Sequence, residues 1–250
     1  RKDFRDAVIA ARSAFNDSGS RAAFNRSQVL YRIAEMLEGR KAQFIDELMK
    51  QDSTKEQAEK EVSLSIERLI YYAGWCDKFQ QLYSTVNPVA SSHFNFSAPE
   101  PTGVVSIIAP QNNSLIGLVS VIAPIIAGGN TCVVLASASK PLCAVTFAEV
   151  LGTSDVPGGT INILTGKPGE LLSWFSDHMD VNAIVFCEND KEAILKIQQK
   201  ATLNLKRVLL WNNYNWLLET AQNPYLINDA QEIKTTWHPI ENIGGAKAGY

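Results

Sequence analysis

The sequence predicts an α/β fold: a parallel sheet with helices on both faces, a helical region ahead of it and a small β arm. Three observations carry this. Residues 3–82 place apolar residues at helical spacing, residues 83–101 are polar, β-branched and aromatic with prolines, and from Gly103 onward short apolar runs alternate with helical stretches. With 250 residues, 46% hydrophobic and 20% charged, the chain can bury a sizeable core.

In the first region Leu30, Ile33, Leu37, Phe44 and Leu48, then Ile66, Leu69, Ile70 and Ala73, recur on periodic faces, which predicts three or four helices. The stretch YSTVNPVASSHFNFSAPEP has no helical period and predicts a hairpin arm over 86–102. The strands that follow are GVVSIIAP, NTCVVLA, INILT, NAIVF and KRVLL, separated by helices at 114–127, 141–152, 168–177 and 190–203. Repeated βα units of this kind build a parallel sheet. The run LIGLVSVIAPIIAGG, Leu115 to Gly129, is too short for a bilayer span and contains a proline. It predicts a buried helix stopped by Gly128 and Gly129. Residues 217–250 fit the alternation poorly; their one strand-like piece is EIKTTWHPI at 232–240, ahead of a loose, glycine-containing end.

Charge excludes several functions. A net charge of -3, with 23 basic residues scattered among 26 acidic ones, gives nucleic acid or an anionic membrane no reason to bind. Cys76, Cys132, Cys143 and Cys187 lack paired spacing and read as buried reduced thiols. The opening RKDFRDAVIAARSAF lacks the apolar core of a secretion signal, and its acidic residues argue against a mitochondrial peptide, so a cytoplasmic location is expected. His93, His178 and His238 stand in separate contexts, which predicts no metal site. Lys167 in TGKPGE lacks phosphate-loop spacing and reads as an exposed turn lysine. Cys187 has no histidine near it in sequence, and Glu188 would raise its pKa, so it reads as a core residue rather than a nucleophile.

The segments PEPTGVVSIIAPQNN, APIIAGGNTCVVLASASKPLCA, VPGGTINILTGKPGE, SDHMDVNAIVF and NLKRVLL, in that order, resemble the cofactor-binding half of the NAD(P)-dependent aldehyde dehydrogenase superfamily. NRSQVLYRIAEMLEGRKAQFIDELMKQD resembles its N-terminal helices. The resemblance implies a Rossmann-like core and a set of functional positions, most of which are altered. The family's Pro-Trp-Asn is Pro110-Gln111-Asn112, which keeps the oxyanion asparagine as Asn112. The ribose-binding lysine and glutamate fall at Leu135 and Ala138. The Phe-Thr-Gly-Ser turn that sets a helix N-terminus against the pyrophosphate is Phe186-Cys187-Glu188-Asn189, and Glu188 and Asp190 put negative charge where a diphosphate would lie. What remains is a vestigial crevice of Pro110, Asn112, Ser137 and Gly166, with Ser137, Ser139 and Lys140 as an alternative grip on a ribose. No cofactor is expected, and NAD(P) would bind weakly.

The resemblance extends to LKRVLLWNNYNW. In the family the strand ends on a glutamate that acts as general base, and here that position is Trp211. The cysteine-bearing catalytic domain that should follow is replaced by a short bridge, after which EIKTTWHPI resembles the family's C-terminal oligomerisation strand. The division is N-terminal helices 1–85, arm 86–102, Rossmann-like core 103–215, bridge and strand 216–250. This arrangement is similar to the degenerate C-terminal domain of aldehyde dehydrogenase family 16. It implies a non-catalytic unit for assembly, partnered by its own copy or by a tandem aldehyde dehydrogenase-like domain. The alternatives are a residual NAD(P) sensor and half of an oxidoreductase completed by another domain.

Overall fold

The computed structural model describes residues 1–240. Four long helices open the chain: α1 (Lys2–Ser20), α2 (Ala23–Gly39), α3 (Lys41–Met49) and α4 (Lys55–Ala73), followed by the single-turn α5 (Phe79–Tyr83). Leu30, Ile33, Leu37, Phe44, Leu48, Leu69 and Ala73 are buried as their spacing predicts, whereas Ile70 faces solvent at 44% exposure. The helix α4 puts Ile66, Leu69 and Ala73 on one stripe, and Ile70 lies at its border. Its start is fixed by a capping box in which Thr54 and Gln57 each satisfy the other's backbone amide.

Five parallel strands form the main sheet: β3 (Val104–Ile108), β4 (Thr131–Leu135), β5 (Ile161–Leu164), β6 (Ala183–Phe186) and β7 (Arg207–Leu210), in the order β5-β4-β3-β6-β7. Between them run α6 (Leu115–Ala127), α7 (Leu142–Gly152), α8 (Pro168–Asp177) and α9 (Lys191–Ala201). Strand side chains alternate between two cores. Val105, Ile107, Cys132, Val134, Ala183 and Val185 pack with α2, α4, α6 and α7. Val104, Ile108, Val133, Leu135, Ile184 and Phe186 pack with α1, α8 and α9. Each fully buried Val, Leu, Ile or Phe contributes about 1.5–3 kcal/mol, so this alternation fixes the register of every strand.

All thirteen residues of α6 are buried, so it is the core helix its composition predicts. Gly129, at φ +88°, makes the reversal into β4 that a side chain would strain. Among the described residues no helix is long and apolar enough to cross a membrane.

The second sheet is antiparallel, in the order β1-β2-β8, built from β1 (Thr85–Asn87), β2 (His93–Pro101) and β8 (Gln231–Pro239). The arm opens at Thr85, one residue ahead of the predicted 86, and the C-terminal strand runs 231–239 rather than 232–240. It pairs with β2 over nine positions, from His93↔Pro239 to Pro101↔Gln231. The bridge is the larger departure from expectation. Residues 216–230 form a 3₁₀ turn (Glu219–Ala221) and α10 (Tyr225–Asp229), burying Trp216, Ala221, Leu226, Ile227 and Ala230. The glycine-containing end at 241–250 lies outside the described residues.

Candidate functional site

In a doubly wound sheet ligands bind beyond the C-terminal strand ends, where the chain switches sides. Here β3 has β4 on one side and β6 on the other, so the crevice lies between the ends of β3 and β6. One residue dominates it. The Gln111 amide N–H donates to Glu188 Oε1 at 2.7 Å, directly across the switch point. The Gln111 carbonyl accepts from Ser137 Oγ at 2.7 Å and Ser139 Oγ at 2.9 Å, and its side-chain Oε1 accepts from the Ala138 amide at 2.8 Å. Its Nε2 donates back to Ala109 O. The ends of β3, β4 and β6 are therefore joined by side chains.

The helix terminus beside this hub is also engaged. Asp190 caps α9, its Oδ1 accepting from the amides of Glu192 and Ala193 at 3.0 Å each. Leu135 is fully buried in the core shared with α8. Cys187 is buried as well, and loss of solvent, then the neighbouring Glu188, pushes its thiol well above the usual range. An inert core thiol is what its sequence context predicts.

At the last strand, Trp211 is buried and its backbone continues the ladder, donating to Phe186 O at 2.9 Å. Its indole Nε1 donates to Asp229 Oδ2 at 3.1 Å, which ties the strand end to the bridge. Burial raises the Asp229 carboxyl pKa, while that bond and Arg207 work against the rise. Further anchors hold the bridge. The buried Arg68 donates to Ser120 Oγ (2.7 Å), Trp216 O (3.2 Å) and Leu218 O (3.1 Å). Tyr72 bonds both the carbonyl and the amide of Asn223, and Thr102 and Asn130 both donate to Ala230 O.

Residues 1–212 match the aldehyde dehydrogenase family. The chain belongs to that family. It is 32% identical over 213 residues to the human cytosolic 10-formyltetrahydrofolate dehydrogenase, covering 83% of this chain and 24% of that protein. The Xenopus tropicalis protein of the same name is 33% identical over 217 residues, with the same coverage. Among solved structures, an aldehyde dehydrogenase from Bacillus cereus superposes with a TM-score of 0.77 at 25% identity, covering 84% of this chain and 43% of that one. HpcC from Thermus thermophilus gives 0.77 at 26% identity, covering 84% and 40%. The chain spans between 23% and 42% of the curated relatives' own lengths.

Within this aldehyde dehydrogenase fold the residues resembling the family's cofactor positions do not fit a bound dinucleotide. The α9 amides already hold a carboxylate, the Gln111 amide holds another, and Leu135, fully buried, offers a ribose no hydrogen-bonding group. Ser137 and Ser139, which the sequence offers as an alternative grip on a ribose, spend their hydroxyls on the Gln111 carbonyl. Ser137 lies against Gln111 at the end of β4, and Pro110 packs beside Gly117 of α6. Asn112 is exposed and lines a separate cleft of about 430 Å³ with Glu61, Lys140 and Asn113. Gly166 sits past β5, close to Leu171 of α8 rather than to Gln111.

Lys167 is exposed at the start of α8, as its turn context predicts. His178 stacks edge-on against Phe4 at 5.8 Å. His93 and His238 fall on adjoining strands, but the pairing Phe94↔His238 puts them on opposite faces. No group of three potential metal ligands occurs among the described residues. Sequence reasoning did not find Gln111 as a hub, nor Arg68 and Tyr72 as anchors of the bridge. An arginine within a helical stripe was the one signal, and periodicity alone would place it on the surface.

Proposed function

We propose that this chain is a catalytically silent aldehyde dehydrogenase-like unit, of the family 16 C-terminal type, that serves assembly within a larger cytoplasmic protein of the family. The observation that carries the reading is Trp211. Where the family resemblance places a general base, a buried indole is spent on holding Asp229. An indole N–H donates and cannot accept a proton at neutral pH, so the position cannot activate water or a thiol. The seated bridge supports the same reading. It runs from β7 to β8 in about twenty residues, which is far below the size of an ordinary domain, and it is seated by the buried Trp216, Ala221, Leu226, Ile227 and Ala230 and by hydrogen bonds from Arg68, Tyr72, Thr102 and Asn130.

Assembly falls to the arm. Among the described residues its sheet has β1 and β8 as edge strands, and it exposes Val86, Phe94, Ile233 and Trp237. Open backbone and alternating apolar side chains are what β-augmentation by a second copy or a tandem aldehyde dehydrogenase-like domain requires. The test has two arms. Purified 1–250 given NAD and short aldehydes should show no NAD reduction above background; measurable turnover refutes silence. Chain 1–230, lacking β8, should sediment as a weaker oligomer or dock less well to the parent's preceding domain than 1–250. Identical behaviour refutes assembly through the arm.

A further inference from the structure

We infer that Glu188 and Asp190 are tethered anions standing where a diphosphate would lie, and that with Gln111 they close the ligand edge of the sheet into a structural junction. This deepens the reading of a silent unit at the same site, and it stands or falls separately from assembly. An aspartate N-cap is common and alone says little. The second observation is independent of it: Glu188, from the end of β6, reaches across the switch point to the Gln111 amide that follows β3.

Three further hydrogen bonds extend the closure. Ser137 and Ser139 bind Gln111 from the end of β4, and Asn189 Nδ2 donates to Asn212 O beyond β7 at 2.9 Å. Four of the five strand ends are thus linked through side chains that a dinucleotide would have to displace. A tethered carboxylate also wins on entropy, because it loses no translational freedom when it takes up an amide, whereas a free diphosphate does. Any diphosphate that entered would meet two carboxylates, the half-buried Glu188 and the exposed Asp190, and like charges repel.

The experiment is calorimetric titration of inorganic pyrophosphate and of ADP into three proteins. These are the native chain, the Glu188→Ala/Asp190→Ser double variant, in which the serine keeps the α9 cap, and Glu188→Gln, which drops a charge while keeping an acceptor for Gln111. The native chain should bind neither probe below about 1 mM. The double variant should bind pyrophosphate at least about tenfold more tightly than the native chain, the change expected from one additional charge-assisted hydrogen bond. ADP should do no better than pyrophosphate, since Leu135 gives its ribose no hydrogen bond. The unliganded double variant should also melt lower than the native chain, and pyrophosphate should restore part of the difference. Native binding of either probe below about 100 μM overturns the inference, as does a folded double variant with unchanged affinity. Should the double variant fail to fold, Glu188→Gln decides alone: no increase in pyrophosphate affinity overturns the proposal.

Discussion

The two sheets of this molecule treat their free hydrogen-bonding groups in opposite ways. At the C-terminal edge of the parallel sheet, where related folds keep amides open for a ligand, Gln111, Glu188, Asp190 and Trp211 are paired within the chain. In the antiparallel arm β8 has no strand beyond it among the described residues, and Phe94 and Trp237 are 45% and 57% exposed. On the proposed reading the crevice has no ligand to stay open for, and exposed aromatic residues on an open sheet are a liability unless something covers them. The contrast favours the arm as the seat of whatever interaction the molecule retains.

Restoring the family residue at the strand end should give the largest effect. Trp211→Glu replaces a buried indole by a carboxylate that faces Asp229, so it removes packing and adds an unpaired charge. The expected destabilisation is about 4 kcal/mol or more by urea denaturation, with no activity restored. Trp211→Phe keeps most of the packing and loses only the bond to Asp229, for about 1–2 kcal/mol. A stable Trp211→Glu protein would show that this end of the sheet is an open active site after all.

Alkaline pH should separate the sheets by a smaller margin, because all four thiols lie in the core regions and none in the arm. Burial pushes Cys76, Cys132 and Cys143 up to about 12 from an ordinary 9.0. Groups whose folded pKa is raised stabilise fully below the unfolded value and lose that contribution as pH climbs toward the folded one. Between pH 9 and 10 the three thiols lose about 3 kcal/mol together. Lys206 opposes them. Its ammonium, buried against His178 O and Asn204, is lowered to about 8, so stability rises between pH 8 and 10.5 on its account, by about 1 kcal/mol over the same interval. The net slope above pH 9 is downward, and Cys132→Ala should flatten it. A stability flat from pH 9 to 10.5 contradicts the burial of these thiols.

The sequence revealed the core well and the junction poorly, for a physical reason. Periodicity reports the apolar faces of the N-terminal helices, and the alternation of short apolar runs with helical stretches reports β3 to β7 and α6 to α9. The loss of the helical period at Tyr83, with the prolines and β-branched residues that follow, marked the arm equally well. Gln111 meets Glu188 across 77 positions and Trp211 meets Asp229 across 18, and a polar pair joined by tertiary structure leaves no local pattern. The five residues of α10 are too few to show a period, which is why the bridge read as irregular. Glu188 and Asp190 could be recognised as misplaced charges, but not as hydrogen-bonded ones.

The smallest effect on stability, and the sharpest on association, should come from the arm. The register puts Val86, Phe94 and Phe96 on one face, lining a groove of about 410 Å³, and Ile233 and Trp237 on the other, beside the buried Asn95. Phe94→Ser and Trp237→Ser therefore probe separate faces. Because both side chains are largely exposed, each substitution should change the unfolding free energy by less than about 0.5 kcal/mol, within the usual range for surface sites. If one face meets a second copy or a neighbouring domain, its serine variant should weaken that association by about tenfold or more, as loss of a buried aromatic anchor does, while the other variant behaves as native. Sedimentation velocity across a concentration series reads both at once. Two variants that associate like the native chain would leave the backbone edges of β1 and β8 as the contact, and two that unfold would show that the aromatic residues brace the arm itself.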